Sequence, residues 1–161
     1  MPNKKKIYLI TILICVAFLA VLVLALTLPN AMKKSDAKKT LKSTEHATEM
    51  VLIDPLFGEG DLLGNRGKSA ALSETELAQL KAQLAAVASG GLRYNGKSAV
   101  FGGGSDLRLQ MVIDGQTVLL FLCENEFYLL SGDLSTRFSA KDANAYATLY
   151  QNARAILAAA Q

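Results

Sequence analysis

The chain has 161 residues and a formal charge of +3, and 51% of it is hydrophobic, enough for one globular domain plus an appendage. The charge is lopsided: eight lysines against Asp36 give +7 through Lys42, and nine basic against thirteen acidic residues give −4 from Ser43 onward. The globular part is therefore mildly acidic, the wrong sign for holding phosphates, which argues against a nucleic-acid partner despite a sequence pI near 8.9.

The first element is a hydrophobic run from Ile7 to Leu28 without one charged side chain. As a helix it measures about 33 Å, enough to cross a hydrocarbon layer of about 30 Å. A secretory signal has a shorter apolar region of about 7–15 residues before small residues at its cleavage site. The run lacks the polar face of a soluble helix, so it reads as a retained single transmembrane anchor of signal-anchor type. Residues 1–6 would then form a short cytoplasmic tail. Cys15 sits in mid-run behind the bulky Ile14, which argues against lipidation. Cys123 is the other cysteine, and the pair cannot make a disulfide framework.

Lysines flank the run: Lys4, Lys5 and Lys6 before it, and Lys33, Lys34, Lys38 and Lys39 after it, all suited to anionic lipid head groups. With Lys42, five follow within fifteen residues, and the positive-inside bias alone would put the C-terminal side in the cytoplasm. A long domain behind a lysine cluster and apolar run translocates largely regardless of charge, and the expected domain location is extracytoplasmic. Pro29-Asn30 is expected to end the anchor, and 29–47 to form a basic, polar stalk. His46, the single histidine, lies there as a solvated residue.

The globular domain is expected over 48–161. Met50 to Ile53 reads as a short strand stopped by Asp54-Pro55, followed by a long loop. Asp54, Glu59 and Asp61 lack the spacing of a calcium loop. A helix follows: Ser73 and Glu76 form a capping box, Leu77, Leu80, Leu84 and Val87 make an apolar stripe, and Gly90-Gly91 stops it.

Gly91 to Ser98, GLRYNGKS, matches the phosphate-loop pattern G-x-x-x-x-G-K-[ST]. That chemistry needs a strand before the loop and a helix starting at its Lys-Ser, whose N-terminus faces the phosphates. Here a helix precedes, and the Gly-rich stretch Gly102-Gly103-Gly104 follows. The expectation is no nucleotide, but a type I′ turn at Asn95-Gly96 between arms Leu92–Tyr94 and Lys97–Phe101.

Leu107 to Ile113 alternates cleanly, Asp114-Gly115 reads as a second type I′ turn, and Gln116 to Cys123 returns. That turn sets Met111 opposite Val118, Leu109 opposite Leu120 and Leu107 opposite Leu122, one apolar floor. Phe127 to Ser131 follows a turn at 124–126. The last helix is expected to open at Ser139, with Tyr146, Leu149, Tyr150, Ala153, Ile156 and Leu157 on its apolar side. The sum is an α+β domain, an antiparallel β-meander of about four to five strands packed against two helices.

The opposite sheet face carries Leu119 and Phe121, apolar where one solvated face would be polar. Met50–Phe57 folding across it is one expectation. The sharper one is a protein-docking patch of Leu119, Phe121, Tyr128 and Leu130. The spacing of His, Cys and carboxylates supplies neither a nucleophile–base pair nor a metal-ligand set, so no catalytic, metal or cofactor residue is assigned. Glu124, Glu126 and Asp133 are the nearest to an acid–base pair. Two functions remain: a membrane-tethered extracytoplasmic binding or protein-interaction module, or a self-associating structural subunit of a bacterial envelope assembly.

Overall fold

The computed structural model describes residues 4–54, 69–98, 107–131 and 134–160. It divides after Ser35 into an N-terminal helical unit and a globular unit from Asp36.

Helix α1 runs Lys4–Ser43 with Pro29 inside it. The proline does not end the helix as expected. It forgoes one backbone hydrogen bond, a loss that a helix formed on both sides of it can absorb, as happens in membrane-type helices. Sixteen large apolar side chains from Tyr8 to Met32 are 44–71% exposed, so no other described part of the chain covers them. This is one helix long and apolar enough to cross a membrane.

The globular unit is α+β. Its strands are β1 (Ala47–Ile53), β2 (Ser69–Ala71), β3 (Leu92–Ser98), β4 (Leu107–Ile113), β5 (Gln116–Leu122), β6 (Phe127–Ser131) and β7 (Leu134–Ala140), with α2 (Glu74–Gly90) and α3 (Ala143–Ala159). They form one seven-stranded sheet in the order β2-β1-β4-β5-β6-β7-β3, every pair antiparallel. The β4–β7 meander is central. Seven strands exceed the four to five expected, because β2 and β7 carry weak strand signals and take their conformation from their neighbours.

The β4–β5 hairpin has the expected register, and Asp114 and Gly115 both take positive φ, 50° and 76°. The other expected hairpin is absent. Leu92–Ser98 is one edge strand paired with β7, and the register shifts between Tyr94 and Gly96. Gly96 (φ 113°) sits at that bulge, where an extra residue, rather than a chain reversal, uses the glycine. Residues 99–101, the end of the expected second arm, lie outside the described residues, as do Pro55, Glu59, Asp61 and Gly102–Gly104.

The floor of Leu107, Leu109, Met111, Leu120 and Leu122 packs against Leu80, Leu84 and Val87 of α2 and Tyr146, Leu149 and Ala153 of α3. Ser73 caps α2 in a full capping box with Glu76, whose carboxyl those hydrogen bonds hold below its ordinary pKa. α3 starts later than expected. Ser139 belongs to β7, and Asp142 is the cap, accepting from the Ala145 N–H at 3.0 Å.

The stalk is corrected most. Residues 36–43 are helical, and Ala37, Leu41, Thr44 and Ala47 are buried in the core. Leu41 meets Leu84, Val87, Leu120, Leu122, Phe127 and Leu149 around one point too tight for a water molecule. Lys81 of α2 clamps the junction, its Nζ donating to the carbonyls of Ala47 (2.7 Å) and Glu45 (3.3 Å). The globular unit therefore begins near Asp36 rather than at residue 48.

Candidate functional site

Strand alternation sends every second side chain to the sheet face away from the core cluster. Register then builds two rows across it. Val51, Gln110, Leu119, Leu130 and Ser135 form one, and Ile53, Arg108, Phe121, Tyr128 and Arg137 the next. Leu119 faces Leu130 and Phe121 faces Tyr128, so all four expected patch residues share one block. Both Tyr128 and Leu130 belong to it, a point that the 124–126 turn decides.

Exposure divides the block. Leu119, Tyr128 and Leu130 are half-buried, but Phe121 is only 2% exposed. Phe121 is thus buried and not available as a contact side chain. Ile53, Arg108 and Ser135 on the same face are also buried. Met50–Ile53 does not fold across this face, because it lies within the sheet as part of β1. Residues 55–57 lie outside the described residues.

A polar network borders the block. Tyr128 Oη donates to Glu126 Oε1 at 2.9 Å, and Arg137 Nε lies 3.6 Å from Glu126 Oε2. Arg137 Nη2 also donates to the carbonyl of Asn95 at 3.0 Å, and Asn95 Nδ2 to Ser139 Oγ at 3.3 Å. Desolvation, then the Glu126 carboxylate, raises the Tyr128 pKa and keeps it a donor. Glu126 is thereby engaged on this face and Glu124 is exposed, whereas Asp133 lies outside the described residues.

At the same end of the sheet, α3 pins the β5–β6 turn. Tyr146 Oη reaches the carbonyls of Cys123 (2.7 Å) and Glu126 (2.5 Å), and the Cys123 N–H donates to Glu126 O at 2.9 Å. Tyr146 stacks on Phe127, which stacks on Phe138. Burial, then the electrostatics of Cys123, pushes the Tyr146 pKa far above its ordinary value. Against the pinned turn lies a cleft of about 480 Å³ lined by Glu124, Asn125, Ala147, Tyr150, Gln151 and Arg154. The Arg154 guanidinium lies 5.8 Å from the Tyr150 ring centroid. Sequence reasoning did not single out this cleft. Its one local signal is Tyr150 and Arg154 at i, i+4 on the helix.

The remaining expected residues are dispersed. Lys4, Lys5 and Lys6 lie in the first turn of α1. Lys33 and Lys39 are exposed, whereas Lys34 and Lys38 are half-buried on the side of Ala37 and Leu41. His46 is exposed beside Glu45 (3.2 Å), and neither Cys15 nor Cys123 forms a disulfide. The phosphate-loop look-alike is an extended strand, without the helix N-terminus that loop requires.

Compared with protein-family models, with curated proteins and with solved structures, the chain matches none of them.

Proposed function

We propose that this chain is a single-pass membrane protein whose α+β domain is an extracytoplasmic protein-interaction module rather than an enzyme. The observation that carries this reading is the contiguous, half-buried Leu119–Leu130–Tyr128 block on the sheet face away from α2 and α3, beside buried Phe121. Apolar surface of this kind on a sheet face gains free energy when a partner covers it. Gln110, Glu126 and Arg137 supply a polar rim.

The uncovered apolar side chains of α1 support the membrane anchor. Within the same helix Lys33 and Lys34 follow Leu28 by about 8 Å and are the nearer head-group contacts. Lys38 and Lys39, about 15 Å along, act through the weaker, salt-screened field. Lys4, Lys5 and Lys6 serve the opposite leaflet.

The occupant proposed is a different protein of the same membrane compartment. A photo-crosslinking residue at Leu130, in intact membranes, is expected to give one discrete heterologous product, absent when the residue is placed at exposed Thr148 of α3. Leu119→Ser should abolish that product while the chain stays folded. A product of twice the 17.2 kDa chain mass would support the self-associating subunit instead. Equal capture from Leu130 and Thr148 would sink the docking surface.

A further inference from the structure

We infer that the cleft between the β5–β6 turn and α3 binds a small zwitterion of amino-acid to dipeptide size, Arg154 taking its carboxylate and Glu124 its ammonium group. The site is separate from the Leu119–Leu130 surface.

Four polar side chains line this cleft: Glu124, Asn125, Gln151 and Arg154. Among the described residues none of the four makes a hydrogen bond or ion pair, and Arg154 is engaged only over the Tyr150 ring. The carboxylate and the guanidinium flank one cavity yet do not bridge each other, so each is available to a ligand carrying the complementary charge. A guanidinium backed by an aromatic ring keeps its planar donor fork directed outward, which suits bidentate capture of a carboxylate. Asn125 and Gln151 add neutral donors and acceptors for a peptide amide.

Size and rigidity agree with that chemistry. A volume of about 480 Å³ falls in the range of small-ligand sites, about 300–1,000 Å³. One wall is α3, and the other is a turn that Tyr146 ties to α3 through the Cys123 and Glu126 carbonyls. Little backbone ordering is then needed on binding, because the turn and the helix that carry Glu124 and Arg154 are already tied together. Solvated surface charges would need no such pinned geometry.

The test is a titration of the isotope-labelled full chain in detergent micelles with diglycine, followed by the side-chain resonances of Asn125, Gln151 and Arg154. Saturable shifts at those three positions are expected, with a Kd of roughly 10 μM to 1 mM, a range reachable by a few charge-assisted contacts. N-acetyldiglycine, which lacks the ammonium, and diglycine amide, which lacks the carboxylate, should each bind at least about tenfold more weakly. Arg154→Gln and Glu124→Gln should each cause a similar loss, with the rest of the spectrum unchanged because both side chains are exposed. Leu119→Ser should leave binding intact, which separates this site from the docking surface. Absence of saturable shifts, equal binding of N-acetyldiglycine, or shifts that survive both substitutions would overturn the inference.

Discussion

Tyr146 shows how one side chain can serve packing and polar satisfaction together. Its ring joins the Phe127–Phe138 stack, and its hydroxyl reaches the two carbonyls that flank the Glu124–Asn125 turn. Tyr146→Phe keeps the stack and removes the hydroxyl, so it should cost about 1–2 kcal/mol, a net hydrogen bond plus partly desolvated acceptors. The same residue sets an alkaline limit. Its folded pKa is raised, so its contribution is complete below the unfolded tyrosine value of about 10 and is lost as pH climbs above it. Denaturation of the full chain in micelles should show stability falling above about pH 10, and Tyr146→Phe should make that fall shallower. An unchanged alkaline slope would mean that Tyr146 ionises freely. At the same scale, Gly90 has a packing role besides ending α2. A Cβ there would stand 2.9 Å from Asp142 Cβ, so only glycine lets the end of α2 approach the cap of α3.

Among the elements, the last two turns of α1 are the least expected part of the core. Ala37 and Leu41 present one narrow buried edge, and Lys38 beside them is half-buried. Leu41→Ala should destabilise the domain by about 2–5 kcal/mol, as for other fully buried leucines. A fragment beginning at Asp36 is accordingly expected to unfold cooperatively. One beginning at Ser43 should lose a similar 2–5 kcal/mol or more, having neither Leu41 nor Ala37. Equal midpoints for the two fragments in urea would show that the segment adds nothing. Strand β3 explains the phosphate-loop spelling by another route. An edge strand is protected by a bulge and by cations, and GLRYNGKS supplies Gly96 at the bulge with exposed Arg93 and Lys97.

For the whole molecule, the decisive contrast is between a helix whose large apolar side chains stay uncovered from Tyr8 to Met32 and a domain that buries its own. A segment with that composition is stable only where something apolar surrounds it. Alkaline carbonate washing of membrane vesicles should therefore leave the full chain in the pellet and release a chain that lacks residues 1–34. Recovery of the full chain in the wash would remove the anchor from the proposed function. Addition of protease to sealed cells should digest the domain if it is extracytoplasmic and spare it if it faces the cytoplasm.

The local rules were legible in the amino-acid order alone. These include the uncharged run of α1, the capping box of α2, the apolar stripes of both domain helices, and the Asp114-Gly115 turn that set the β4–β5 register. Each depends on neighbours a few residues apart, where propensity and periodicity act. Tertiary packing alone decided that Leu41, embedded among lysines, is core, and that Asn95-Gly96 is a bulge on an edge strand paired with β7. It also decided that Phe121 is buried and that Glu124 and Arg154 line one cleft. Leu41, the β3–β7 pairing and the cleft each join residues from 30 to more than 100 positions apart, and no periodicity within a single element records which distant surface an exposed-looking side chain will meet.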